Sequence, residues 1–285
     1  YCSNAEEVFR AADQMIEEGA HILDLGAEST RPGSKEVSVQ LQLKRLLPVV
    51  SKLANEFKVP ISVDTYKPEV GSAVLQEGAT VIVNDLNNND IENTLGLLDG
   101  NNHLALEGDI SNSPNVVEMF NEIESKYWRI DIVVNNAGIG RSTDDGENGE
   151  IQEMEDSGWK GVMSVNLDGT FYVSREAVRL MLKKEIKGSL INISSTSAFS
   201  GEGPLHYCTS KGALLSFTRA LAIDLGPKGI RVNAICPGPT ATRMLEGIPD
   251  EWVNSMVAAI PLGRVGQPEE VAKTTVRTME RCVPA

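Results

Sequence analysis

Ser189-Leu-Ile-Asn-Ile-Ser-Ser195 reads as a short strand ending in two hydroxyls; an amphipathic stretch over 207–225 and the run Ile230-Arg-Val-Asn-Ala-Ile-Cys236 follow it. Strand, helix and strand in that order make a βα unit, which joins its strands in parallel. The same rhythm extends outward in both directions. Strands are expected at 21–25, 60–64, 80–85, 103–107, 130–135, 189–194 and 230–236, and helices at 38–57, 68–76, 114–126, 159–184, 207–225 and 268–281. In the longest helix Val165, Phe171, Val178 and Leu182 are the expected apolar face, and Asn87-Asn-Asn-Asp90 reads as a turn. The chain is α/β with a mostly parallel sheet.

At 285 residues the chain is long enough for one large domain or two small ones, and it can bury a core without disulfides or metals. Its 41% hydrophobic and 23% charged residues are those of a soluble globular protein. With 26 Lys and Arg against 40 Asp and Glu, the formal charge of −14 offers nothing to a nucleic-acid backbone or an anionic membrane, and neither is an expected partner. Seven acids between Asp144 and Asp156 carry half of that excess; they lack the Asp/Asn alternation of a calcium loop and read as solvated. Cys2, Cys208, Cys236 and Cys282 are scattered without metal-ligand spacing, so no metal is expected, and a reduced, cytoplasmic setting is. No apolar run reaches membrane-spanning length, and the start shows no leader pattern.

Chemistry concentrates in the C-terminal two thirds. Tyr207 and Lys211 stand four residues apart at a helix start, on one face, where an ammonium would favour the phenolate and make Tyr207 a proton donor and acceptor for a carbonyl. Twelve residues upstream, Ser195 ends a strand, at the edge where open α/β sheets place their sites. Asn135-Asn-Ala-Gly138 and Pro237-Gly-Pro-Thr-Ala-Thr242 follow two further strands, so three strand ends carry small polar or Gly-Pro elements. Cys208 reads as a small helix residue, His206 as a polar boundary residue, and Trp128, Trp159 and Trp252 as packing or rim residues.

Residues 78–272 resemble the short-chain dehydrogenase/reductase family, the 3-oxoacyl-carrier-protein reductase branch among its nearer relatives. The resemblance implies a Rossmann-like doubly wound parallel sheet and a tetrad in which Asn166 anchors a water relay, Ser195 binds the substrate oxygen, Tyr207 is the acid/base, and Lys211 holds the nicotinamide ribose and lowers the Tyr pKa. The Ser-to-Tyr interval is one residue short of the commonest spacing, so Ser194 competes with Ser195, which is preferred as the second Ser of Asn-Ile-Ser-Ser. It further implies cofactor contacts from Asp109 and Ile110 at the adenine, Asn135, Ala137 and Gly138 along the adenosine, and Pro237, Gly238, Thr240 and Thr242 at the carboxamide and diphosphate. Asp85, ending the 80–85 strand, stands where a carboxylate accepts from the ribose 2′-hydroxyl and repels a 2′-phosphate, which favours NAD over NADP. A small carbonyl or alcohol substrate and a homo-oligomer are implied with it.

Two features depart from that family. Its opening strand should lead into a glycine-rich turn, and the corresponding unit here offers Thr65-Tyr-Lys-Pro68; at the other end, 273–285 does not resemble the family's last strand. Residues 5–86 instead resemble the opening of dihydropteroate synthase, a pterin-binding (β/α)₈ barrel, through Glu18-Gly-Ala-His-Ile-Leu-Asp-Leu-Gly-Ala-Glu-Ser-Thr-Arg-Pro-Gly33, Pro60-Ile-Ser-Val-Asp-Thr-Tyr-Lys67 and Gly78-Ala-Thr-Val-Ile-Val-Asn-Asp85. That resemblance implies pterin contacts at Asp64 and Asn84, with Thr30 and Arg31 on a neighbouring loop. Three βα units cannot close a barrel. The expected domains are a partial pterin-binding segment, 1–77, supplying an extra N-terminal βα unit of TIM-barrel descent, and a dehydrogenase-like domain, 78–285. An NAD-dependent oxidoreductase, impaired by the lost turn, is the first reading; an inactive or mis-assembled fusion and a pterin-binding transferase fragment are the alternatives.

Overall fold

The computed structural model describes residues 5–17, 23–26, 61–64, 80–98, 103–141, 151–245 and 248–280, with scattered positions between 40 and 53. They fall into two compact units, Tyr1–Leu106 and Glu107–Ala285. The first holds α1 (Ala5–Glu17), β1 (Leu23–Gly26), β2 (Ile61–Asp64), β3 (Ile82–Asp85), α2 (Asn88–Leu95) and β4 (Leu104–Glu107), which ends at the boundary. Along α1, Val8, Phe9, Ala12 and Ile16 recur at helical spacing, and they pack with Val49 and Leu53 into a small core. β1 and β2 pair in parallel, Leu23 opposite Ile61 through Gly26 opposite Asp64, and β3 pairs with β4 as a separate ladder. Asn87, expected in a turn, is the N-cap of α2: its side chain accepts from the Asn89 amide at 2.9 Å, which starts a helix rather than ending a chain reversal. The expected helix at 68–76 lies outside the described residues, and of 38–57 only isolated helical positions are described.

The second unit runs α3 (Ser113–Tyr127), β5 (Ile132–Asn135), α4 (Asp156–Met163), a π-helical turn (Ser164–Gly169), α5 (Thr170–Lys183), β6 (Ser189–Ile193), the short α6 (Ser197–Ser200), α7 (Leu205–Leu225), β7 (Arg231–Ile235), α8 (Asp250–Ala259) and α9 (Pro268–Glu280). β5, β6 and β7 form a parallel sheet in that order, with Asn135 opposite Asn192 and Ile193 opposite Ile235. All five residues of the central β6 are buried, as befits a strand between two others with helices packed on it. Gly188, just before β6, is needed for that approach: a Cβ there would lie 2.6 Å from Met181 Cε and 2.8 Å from the Asp131 carbonyl oxygen. At the far end, Arg231 donates to the carbonyls of Thr278 and Met279, satisfying the last turn of α9.

The long helix expected over 159–184 exists as α4, the π turn and α5, but its buried stripe is Val162, Asn166, Thr170, Ser174, Ala177 and Met181. Phe171 and Leu182, from the expected apolar face, are each 43% exposed. The inward stripe is small and polar where it meets the site, so bulk alone marked the wrong face.

Candidate active site

The carboxyl end of β6 organises the site. Ser194 Oγ donates to the Lys211 carbonyl at 2.7 Å, a bond that fastens the strand to α7 and spends this hydroxyl internally. Ser195 follows; its Oγ accepts from the Ser197 amide at 3.1 Å and lies beside the Tyr207 phenol. Thr196 N–H then reaches the Pro237 carbonyl at 2.9 Å, drawing the loop after β7 against the loop after β6.

From α7, Tyr207 and Lys211 project one turn apart. Burial pushes the Tyr207 phenol above its ordinary value, with the neighbouring Ser195 hydroxyl pulling the other way, and burial draws the Lys211 amine down to about 8. The expected lowering of the Tyr207 pKa by Lys211 is absent. The ammonium stands over the ring, 5.7 Å from its centre, and is hydrogen-bonded to the Ile193 carbonyl at 2.9 Å, so desolvation dominates both groups. Lys211 is buried with that one acceptor among the described residues, and two of its three donors remain for a bound group.

Asn166 is fully buried inside the π turn, a bulge of the kind that re-aims side chains at functional sites. Its Oδ1 accepts from the Ile139 amide at 2.8 Å, and its Nδ2 donates to the Ile139 carbonyl at 2.9 Å and to Ser210 Oγ at 3.0 Å. The side chain therefore staples the loop after β5 to α7. Gly138 passes between Asn166 and Lys211: a Cβ there would stand 3.2 Å from both Asn166 Oδ1 and Lys211 Nζ.

Of the other expected cofactor residues, Asp109 takes the Ser111 amide (2.8 Å) and hydroxyl (2.7 Å) on Oδ1, while Ile110 packs against Gly169 of the π turn. Asn135 is turned into the core, donating to Ser174 Oγ (3.0 Å) and Asn192 Oδ1 (2.8 Å), and Ala137 is exposed. Pro237 and Gly238 lead into a loop closed by a bridge from Thr240 to Gly266, with Thr240 Oγ1 on the Gly238 carbonyl and Thr242 Oγ1 on the Thr240 carbonyl. Behind Gly266, Glu270 accepts a two-pronged bond from Arg264 (2.7 and 2.8 Å) and the Gln267 amide, which hold its carboxyl at about 2.

In the first unit, Asp85 ends β3 and accepts from the Asn87 amide at 3.0 Å, while Asn84 spends its side-chain amide on the Leu106 carbonyl at 2.8 Å. Asp64 is described only as the last residue of β2, and Thr30 and Arg31 lie outside the described residues. The structure thus brings Asn166, Ser195, Tyr207, Lys211 and Gly138 together beside the 237–242 loop. Sequence reasoning missed Ser210 and read His206 as a polar boundary residue, whereas both are fully buried at the start of α7; it also missed the Asn135–Asn192–Thr218 chain under the sheet. Only Asn192 and Thr218, at inward-facing positions, left a legible signal.

Known proteins are similar to this chain in sequence and fold. The enoyl-(acyl carrier protein) reductase family model matches residues 69–279, and the pterin binding enzyme model matches residues 1–103. The chain is 34% identical over 197 residues to meso-2,3-butanediol dehydrogenase of Serratia marcescens, covering 69% of this chain and 75% of that protein. It is also 34% identical over 206 residues to a 3-oxoacyl-acyl-carrier-protein reductase of Thermotoga maritima, covering 70% and 79%. The crystal structure of 3-ketoacyl-(acyl-carrier-protein) reductase from Brucella melitensis complexed with NADH superposes with a TM-score of 0.65 at 28% identity, over 74% of this chain and 86% of that one. With the fold, the motifs and these relatives in agreement, the chain belongs to the short-chain dehydrogenase/reductase family of oxidoreductases, with a Rossmann-like α/β fold, and its first hundred residues also match the pterin binding enzymes.

Proposed function

We propose that the chain uses NAD to carry a hydride between the nicotinamide and a small carbonyl or alcohol substrate. The observation that supports this most is the buried cluster at the end of β6, where a phenol meets a serine hydroxyl and an ammonium with two unspent donors. The residues fit the cofactor: Lys211 would hold the ribose hydroxyls, Asp109 and Ile110 the adenine, and the 237–242 loop the carboxamide and diphosphate. The bound nicotinamide supplies the hydride. Ser195 donates a hydrogen bond to the substrate oxygen, and Tyr207 gives that oxygen its proton as the carbonyl becomes an alcohol. A phenol carries its proton at neutral pH, and burial raises Tyr207 further above its ordinary value, which suits a proton donor for reduction. Asn166 contributes by position, through its staple to the Ile139 backbone and Ser210. Asp85 favours NAD over NADP on charge. Phe171 and Phe217, paired across α5 and α7 with ring centres 6.4 Å apart and Phe171 partly exposed, support a homo-oligomer through these helices.

Tyr207→Phe tests the mechanism. It should abolish carbonyl-dependent NADH oxidation and leave NADH affinity within about twofold, because only the transferable proton is removed; retained turnover would contradict the assignment.

A second reading is favoured by the overlap of the two family matches over residues 69–103. In it the chain joins a pterin-binding opening, 1–77, of TIM-barrel descent, to a dehydrogenase domain, 78–285, with Thr65-Tyr-Lys67 where the glycine-rich turn belongs, and the fusion is inactive. Pterin chemistry is the weaker form of it, as Asn84 already holds the Leu106 carbonyl. A pterin pyrophosphate analogue that raises the melting temperature would support that form.

A further inference from the structure

The start of α7 lacks the usual helix cap. An N-cap side chain ordinarily accepts from the amide two or three positions on, but the N-cap here is Pro204, which makes no such bond. Leu205, His206 and Tyr207 are the first three helical residues, so the Tyr207 amide belongs to the group left without intrahelical partners. His206 takes it: the imidazole Nδ1 accepts from Tyr207 N–H at 2.8 Å. On the other side of the same residue, the Tyr207 carbonyl accepts from Ser210 Oγ at 2.8 Å, and Ser210 accepts in turn from Asn166 Nδ2 at 3.0 Å. His206 and Ser210 are both fully buried. Both backbone polar groups of the tyrosine are therefore held by buried side chains one step from the phenol.

We infer that His206 is a positioning residue, a surrogate cap whose Nδ1 pins the Tyr207 backbone and so sets where the phenol stands against Ser195. The inference rests on the oxidoreductase reading and deepens it. The accepting nitrogen is bonded directly to Cγ, and a nitrogen that accepts carries no proton. Asparagine places its Oδ1 at the same bonded position. Glutamine places its oxygen one bond too far, and leucine offers no acceptor at all.

The test is steady-state kinetics on H206N, H206Q and H206L in the full chain, with NADH oxidation as the readout. H206L and H206Q should lose about tenfold or more in kcat while KM for NADH stays within about twofold, since a displaced acid costs turnover and not binding. H206N should keep at least about half of the wild-type kcat, although it removes volume that leucine would retain; a packing role predicts the opposite order. H206N no better than H206L, or H206L with wild-type kcat, overturns the inference. If H206L does not fold, H206N against H206Q makes the same comparison. If the wild type binds NADH and turns over no carbonyl, the oxidoreductase reading fails by itself. The pin is then judged by hydrogen exchange at the Tyr207 amide: protection kept in H206N and lost in H206Q supports it, and equal exchange in both overturns it.

Discussion

Burying Lys211 disfavours its charge, and the amine falls from its ordinary 10.5 to about 8. Between those values the unfolded chain binds more protons than the folded one, so this residue's contribution to stability rises with pH from about 8 toward 10.5. Below about 8 the penalty is present in full, on the order of 3 kcal/mol. Lys211→Met should therefore unfold at higher urea at pH 7, by about 1–3 kcal/mol, while losing its hold on the cofactor. A variant less stable than wild type would show that the ammonium's bond to Ile193 outweighs its desolvation. The same shift predicts a pH profile for reduction, in which kcat/KM falls as pH rises through about 8 and the ammonium is lost. Activity that stays level to pH 10 would contradict it. His206 and Ser210 act at this scale too, and neither could be recognised from its neighbours in sequence. A polar residue at a helix start reads as exposed unless one asks what replaces the cap that Pro204 cannot supply.

Among elements, β6 is the one whose surroundings leave least room. Gly188→Ala would drive a Cβ onto the Asp131 carbonyl, and that backbone oxygen cannot move without parting β5 from β6. The substitution should lower stability by about 1–3 kcal/mol in urea with an unchanged m-value, and an unchanged midpoint would show that the strand entry can relax. The strands themselves were legible, since short apolar, β-branched-rich runs such as Ile132–Asn135 and Ser189–Ile193 have few alternatives; the observed ends lie within two residues of the expected ones. The inward face of α4 and α5 was not. Asn166, Thr170 and Ser174 line it because the π turn aims a polar stripe at the site, whereas Phe171 and Leu182, the bulkier residues, face outward. α1, α2, α6 and α8 were unread, α2 because its asparagine cap looked like a turn. In the site, the Ser-to-Tyr interval left Ser194 and Ser195 in competition; the structure separates them, as Ser194 is bonded to the Lys211 carbonyl and Ser195 lies beside the Tyr207 phenol.

Taken whole, the chain carries two family signatures that overlap over residues 69–103, and among the described residues the β1–β2 and β3–β4 ladders are separate from the β5–β6–β7 sheet. Length and composition are blind to this, while the charge of −14 still bears on partners, disfavouring polyanions. If Thr65-Tyr-Lys67 replaces the glycine-rich turn, substituting glycines at those three positions should tighten NADH binding, and an unchanged affinity would remove that part of the proposal. The central claim, that this chain is an NAD-dependent oxidoreductase, is met most directly by a fluorescence titration of the intact protein with NADH. The account predicts a saturable change in nicotinamide emission, and no change up to millimolar NADH would contradict it.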